Sequence, residues 1–153
     1  MLALSYRLTG DLDQVQLPVG PAEQSPRPLW QHTCCEIFIR RAGLEPYHEF
    51  NFAPSGAWTA YAFERYRVGA PLLEDALDPH IHVQRSSDTL ELGASVWLDR
   101  LSPLHASSRL ALALSAVIEQ GDGTLSYWAL THPAGRPDFH HPQAFTLEVG
   151  TCL

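Results

Sequence analysis

Apolar and polar residues take turns along most of this chain with a period of two, the repeat of a strand that buries one of its faces. Leu90, Leu92, Ala94, Val96 and Leu98 make the plainest run. The same repeat predicts strands over residues 2–9, 12–17, 33–40, 46–53, 57–66, 80–84, 89–98, 109–119, 125–131 and 143–149. Turn chemistry separates them at Gly10-Asp11, Leu44–Pro46, Ala53-Pro54-Ser55-Gly56, Arg85–Asp88 and Gly121-Asp122-Gly123. Proline-bearing stretches at 18–28, 68–79 and 132–142 read as longer connections, the first of them long enough for a rim or lid. Only 99–107 reads as helical, for one or two turns. About ten short strands with at most one short helix predict an all-β fold, a two-sheet antiparallel β-sandwich of jelly-roll type. No repeat or linker divides the chain, so a single domain over 1–153 is expected.

The densest chemistry lies in residues 29–67. If 33–40 alternates strictly, Cys34, Glu36, Phe38 and Arg40 share a face, and on the next strand Tyr47, Glu49 and Asn51 do. Glu36 then meets Glu49 and Asn51 on one sheet surface, beside Arg65 or Arg67 from the third strand. Carboxylate, amide and guanidinium together supply the fixed donors and acceptors that grip sugar hydroxyls. Trp58, just after the tight turn at 53–56, is expected to add a stacking plane, and His132 and Asp138 a rim. The expected ligand-binding set is Glu36, Asn51, Trp58, Arg67, His132 and Asp138. The same residues also fit a cross-strand ladder of ion pairs. Two glutamates about 5–9.5 Å apart would fit a glycoside hydrolase. Trp128, mid-strand, reads as packing.

Histidines are numerous. His80-x-His82 shares a strand face, and Asp138-Phe139-His140-His141 adds an acid and two imidazoles, a workable transition-metal set only if the two groups meet. Nothing in the spacing brings them together, so no metal site and no catalytic residue is assigned. Neither a phosphate-binding glycine loop nor a nucleophile elbow is present.

Composition narrows the partners. Ten basic against seventeen acidic residues give a formal charge of −7, which with no basic run argues against nucleic acid. No apolar run approaches the roughly 18 residues of a membrane span. The first residues, MLALSYRLTGDLD, lack a basic segment and a cleavage site. Cys34, Cys35 and Cys152 follow no pairing pattern and read as reduced thiols, so the cytoplasm is the expected location.

Three strings carry a resemblance: LWQHTCCEIFI, YHEFNFAPSGAWTAYAFERYR and SYWALTHPAGRPDFHH. They resemble the DOMON-like proteins, a set akin to family 9 carbohydrate-binding modules, over most of the chain. Trp30, Glu36, Phe38, Trp58 and Trp128 match that pattern by position. The resemblance implies a β-sandwich whose concave face or rim holds a sugar or, in other branches, a haem. Haem-binding relatives use a Met and a His as axial ligands, and the only methionine here is Met1; no cofactor is therefore expected. The reading that results is a non-catalytic module for a small molecule, a saccharide first. The alternatives are a metal-dependent or two-carboxylate hydrolase and a protein-interaction domain.

Overall fold

The structure, a computed structural model, describes residues 1–150, so Cys152 lies outside the described residues. Ten strands follow one another: β1 (Leu2–Thr9), β2 (Cys34–Arg41), β3 (Tyr47–Phe52), β4 (Trp58–Arg65), β5 (Val68–Pro71), β6 (His80–Arg85), β7 (Thr89–Val96), β8 (Leu110–Glu119), β9 (Leu125–Ala129) and β10 (Leu147–Val149). They form two antiparallel sheets, a narrow one in the order β1-β7-β6 and a broad one in the order β10-β8-β2-β3-β4-β5, with β9 also paired to β8. The β-sandwich expected from the alternation is the fold.

The core between the sheets follows from parity. On β2 the odd residues Ile37 and Ile39 point at the narrow sheet, as do the even residues Phe50 and Phe52 on β3 and Trp58 and Ala60 on β4. Leu92, Ala94 and Val96 of β7 meet them, with Leu2, Leu4 and Tyr6 of β1 packed alongside. Each fully buried side chain of this size contributes about 1.5–3 kcal/mol of transfer free energy.

Several predicted elements differ from the observed ones. Residues 12–14 form a 3₁₀ turn instead of opening a strand, because Asp11 caps it by accepting from Asp13 N–H, and Leu12 is driven into the interior. The connection predicted over 68–79 contains β5, which hairpins back onto β4 through Tyr66-Arg67. Gly69 of β5 lies so close to β4 that a Cβ there would stand 2.2 Å from the Ala62 carbonyl oxygen. The helical fragment splits into two single turns, α1 (Leu98–Leu101) and α2 (Pro103–Ala106). Ser102 between them is extended, as a residue preceding proline is disposed to be.

The proline-rich stretch 18–28 is tied down along β4. Trp58 N–H donates to Glu23 O and Ser25 N–H to Trp58 O, at 3.1 and 2.7 Å. It delivers a 3₁₀ turn, Leu29–Gln31, to the outer side of the broad sheet. The narrow sheet does not extend over β9, which leaves Trp128 exposed instead of packed.

Candidate functional site

The side of the broad sheet turned away from the core is the unusual one. Register lines its residues up in rows across the strands. Glu36 lies between Ser115 of β8 and Asn51 of β3, and Asn51 lies opposite Thr59 of β4. In the next row Phe38 is opposite Glu49, and Glu49 opposite Tyr61. This face is buried although it is polar: Glu36 and Glu49 are 2% and 4% exposed, and Asn51 is fully covered.

A long connection after β9 folds over one end of the face. Its Phe139, Ala144 and Phe145 pack with Phe38, Tyr47, Phe63 and Ala113 in a second apolar cluster. Beyond that cover the sheet opens into a hollow of about 520 Å³. Glu36 and Glu49 reach its floor, and Trp30, Tyr61, Phe63, Tyr127 and Phe139 stand in its walls, with Arg67 and His140 beside them.

The floor has few hydrogen-bond donors. Glu36 accepts from Ser115 Oγ at 3.2 Å and weakly from Cys34 Sγ at 3.5 Å. Glu49 accepts from Asn51 Nδ2 at 2.8 Å, while Asn51 Oδ1 is buried with no partner. Burial and, for Glu36, the neighbouring Glu49 charge push both carboxyls above the usual carboxylate range, with the Cys34, Ser115 and Asn51 contacts and the Arg67 charge opposing.

A relay of groups connects floor and rim. Arg67 N–H donates to Tyr47 Oη at 3.1 Å, and Tyr47 Oη pairs with His140 Nδ1 at 2.8 Å. If Tyr47 spends its own hydrogen on Nδ1, His140 carries its proton on Nε2, which points at Glu49 Oε2 from 3.7 Å. Burial first, and the Arg67 charge second, hold His140 neutral, with its pKa lowered to about 4. Arg67 itself has a positive φ of 56° in the β4–β5 turn and is pinned there by its contacts. Its Nη2 lies 2.8 Å from Asp138 Oδ1, and Tyr66 Oη donates to Asp138 Oδ2 at 2.5 Å. Burial alone would raise the Asp138 pKa; the Tyr66 and Arg67 hydrogen bonds outweigh it and hold the group below its ordinary value.

The expected residues therefore fall into three sets. Glu36, Asn51 and Arg67 come together on this face, and Asp138 anchors Arg67. His132 is exposed on the same connection, its ring tilted against Phe139 at 6.0 Å, outside the hollow's lining. Trp58 is a correction. It is 6% exposed, lies opposite Phe52 and packs against Phe50 on the core side, so it offers no stacking plane to the site. That role falls to Tyr61, and to Trp30, which is 47% exposed. Trp30 and His140 lie outside regular strands, where no periodicity marks them, whereas Glu49 and Tyr61 had the parity of Asn51 and were legible from it.

The histidine groups stay apart. His80 and His82 stand exposed on β6 of the narrow sheet, and His140 lies on the outer face of the broad one. Among the described residues no group of three or more His, Cys, Asp or Glu side chains is placed to hold a metal ion.

The fold has a solved counterpart. A crystal structure of a protein from Bacteroides uniformis ATCC 8492, described as a "putative carbohydrate-binding protein", superposes with a TM-score of 0.68. The match covers 94% of this chain and 70% of the other at 16% identity, a likeness of fold. No family model matches the chain, and no curated protein matches its sequence.

Proposed function

We propose that the hollow on the outer face of the broad sheet binds a small saccharide, and that the protein is a non-catalytic binding module akin to the DOMON-like proteins. One observation carries the reading: the rings of Trp30 and Tyr61 stand in the wall of an open hollow whose floor presents Glu36 and Glu49. Flat rings stack on sugar faces, and carboxyl oxygens accept from sugar hydroxyls in fixed directions. The description of the Bacteroides uniformis protein, whose fold this chain shares, supports the same reading.

A panel of oligosaccharides screened by thermal shift tests it. A ligand at a hundredfold excess over its dissociation constant stabilises by about 2.7 kcal/mol, which is roughly 5–10 °C for a chain of this size. Trp30→Ala is expected to weaken binding at least tenfold while leaving the melting temperature within about 3 °C, because the ring is half exposed. A panel in which no saccharide shifts the transition at millimolar concentration would sink the proposal.

The two-carboxylate hydrolase has one observation in its favour. Two neighbouring carboxyls with raised pKa values hold a proton near neutral pH, which is what a general acid needs. Release of reducing ends from an oligosaccharide, lost in Glu49→Gln, would replace the binding reading with that one.

A further inference from the structure

We propose that the ligand carries a protonated primary amine, as an amino sugar does, and seats that ammonium over Glu36 and Glu49 within the aromatic walls of the hollow. The inference rests on the saccharide reading above and narrows it to a chemical class.

The argument is a balance of donors and charges. The floor holds the four carboxyl oxygens of Glu36 and Glu49. Only three protein groups donate hydrogen bonds to these four oxygens: the Ser115 hydroxyl, the weak Cys34 thiol and one Asn51 amide hydrogen. An unpartnered acceptor that is fully buried costs about 1–3 kcal/mol, so the floor favours a ligand rich in hydrogens to donate.

Charge then separates an ammonium from a neutral hydroxyl. Among the described residues no Lys or Arg makes an ion pair with either carboxyl. Arg67, the nearest, has its guanidinium committed to Asp138 at 2.8 Å, and the His140 ring is neutral with Nε2 still 3.7 Å from Glu49. Two buried acids with no counter-ion are the arrangement proteins otherwise avoid. An arriving ammonium supplies three donors and the missing positive charge together. The walls suit it as well, since a cation within about 6 Å of an aromatic face is attracted by the ring, and Tyr61, Phe63 and Tyr127 all front the hollow. Burial first, and for Glu36 the neighbouring Glu49 charge second, raise the pair's proton affinity, which an arriving cation would offset.

Titration calorimetry on the full chain decides the matter with four probes: glucosamine oligomers, N-acetylglucosamine oligomers, glucose oligomers and putrescine. The expected result is that the glucosamine oligomer binds at least tenfold tighter than its acetylated twin, which keeps the ring but loses the charge. Putrescine, an ammonium without a sugar, binds at least tenfold more weakly than the glucosamine oligomer. Glu36→Gln with Glu49→Gln, which keeps shape and removes charge, weakens the glucosamine oligomer at least tenfold more than it weakens the neutral oligomers, whose hydroxyls can still donate to the carboxamide oxygens. Equal binding of glucosamine and N-acetylglucosamine oligomers overturns the inference and leaves the saccharide site intact. Putrescine binding as tightly as the glucosamine oligomer overturns the amino-sugar assignment, and with no neutral oligomer bound it overturns the saccharide site also. The comparison among probes on the unaltered chain needs no variant, so a misfolded double mutant does not blunt it.

Discussion

The two faces of β2, β3 and β4 are both buried, and only the outer one carries buried acids and an amide. Toward the narrow sheet lie Ile37, Ile39, Phe50, Phe52, Trp58 and Ala60; toward the outside lie Glu36, Glu49, Asn51 and Thr59. One backbone thus serves two environments, and they do different thermodynamic work. The apolar face gains from losing water, about 25 cal/mol per Å² of area removed. The polar face loses hydration and recovers only part of it, because Asn51 Oδ1 has no partner and both carboxyls are held above their usual proton affinity. The difference teaches that the outer face is a cost the core supports, the usual relation between a scaffold and a binding surface.

The sharpest way to break the contrast is Trp58→Ala. The side chain lies inside the sandwich against Phe50, so its removal leaves a cavity and is expected to lower unfolding free energy by about 3–5 kcal/mol. Urea titration reads the loss directly. A loss under about 1 kcal/mol would mean that the ring is not packed between the sheets.

Next in size is the response to pH, which comes from two buried acids and two histidines. Glu49 is raised to about 7 and Glu36 to about 8, from 4.5. Between those limits the folded chain holds more protons than the unfolded one, so stability falls as pH rises through the window. Two half-buried to buried histidines act in reverse: His48, lowered to about 4 by burial and then by His105, and His140, also about 4, from 6.5. Between 4 and 6.5 the unfolded chain holds their protons, so stability falls as pH falls. The opposing slopes cancel between about 4.5 and 6.5. A plateau is therefore expected there, with an alkaline decline of a few kcal/mol up to about pH 8. Thermal unfolding across pH 4–9 measures it. Glu36→Gln with Glu49→Gln should flatten the alkaline limb and, with nothing left to cancel the histidines, turn the plateau into a fall in stability from about pH 6.5 down to about 4; an unchanged alkaline limb would mean the two acids ionise normally.

A smaller effect is expected from Tyr47→Phe. The hydroxyl accepts from Arg67 N–H and pairs with His140 Nδ1, so its loss strips two groups of a partner at a cost of about 1–2 kcal/mol. The His140 titration, followed by NMR, should move in the variant, because its ring loses the contact that fixes its orientation. An unmoved titration would show that the relay does not hold the ring.

Much of this contrast was written in the alternation, and the part that was misread is instructive. Strand positions were legible because burial of one face imposes period two. Trp58 differs from its expected place because nearness across a tight turn does not by itself mean a shared face. The turn at 53–57 closes with Ala53 N–H on Ala57 O, which sets Phe52 opposite Trp58 and Asn51 opposite Thr59. Directly opposed residues share a face, so Trp58 had to follow Phe52 into the core, and Tyr61 had to follow Glu49 out of it. Trp30, His140 and Asp138 had no such rule. They sit on connections pinned by long-range contacts, such as Trp58 N–H to Glu23 O and Arg67 to Asp138, that leave no periodic trace.

The smallest expected effect tests whether the rim is separate from the scaffold. Asp138 accepts from Tyr66, from Arg67 and from His140 N–H, yet the Arg67 side chain is half exposed and the ion pair is open to solvent. Exposed pairs contribute about 0–1 kcal/mol, so Asp138→Asn should lower stability by no more than that. Its consequence should appear on the floor instead. With Asp138 uncharged, the Arg67 guanidinium is no longer neutralised, and the Arg67 charge already favours ionised Glu49. Glu49 should then titrate at lower pH, and the alkaline decline in stability should be shallower. Carbon-13 NMR of the glutamate carboxyls follows that titration residue by residue. A stability loss above about 2 kcal/mol would show that Asp138 holds the connection over the sheet as part of the scaffold. An unmoved Glu49 would show that the Arg67 charge does not reach the floor.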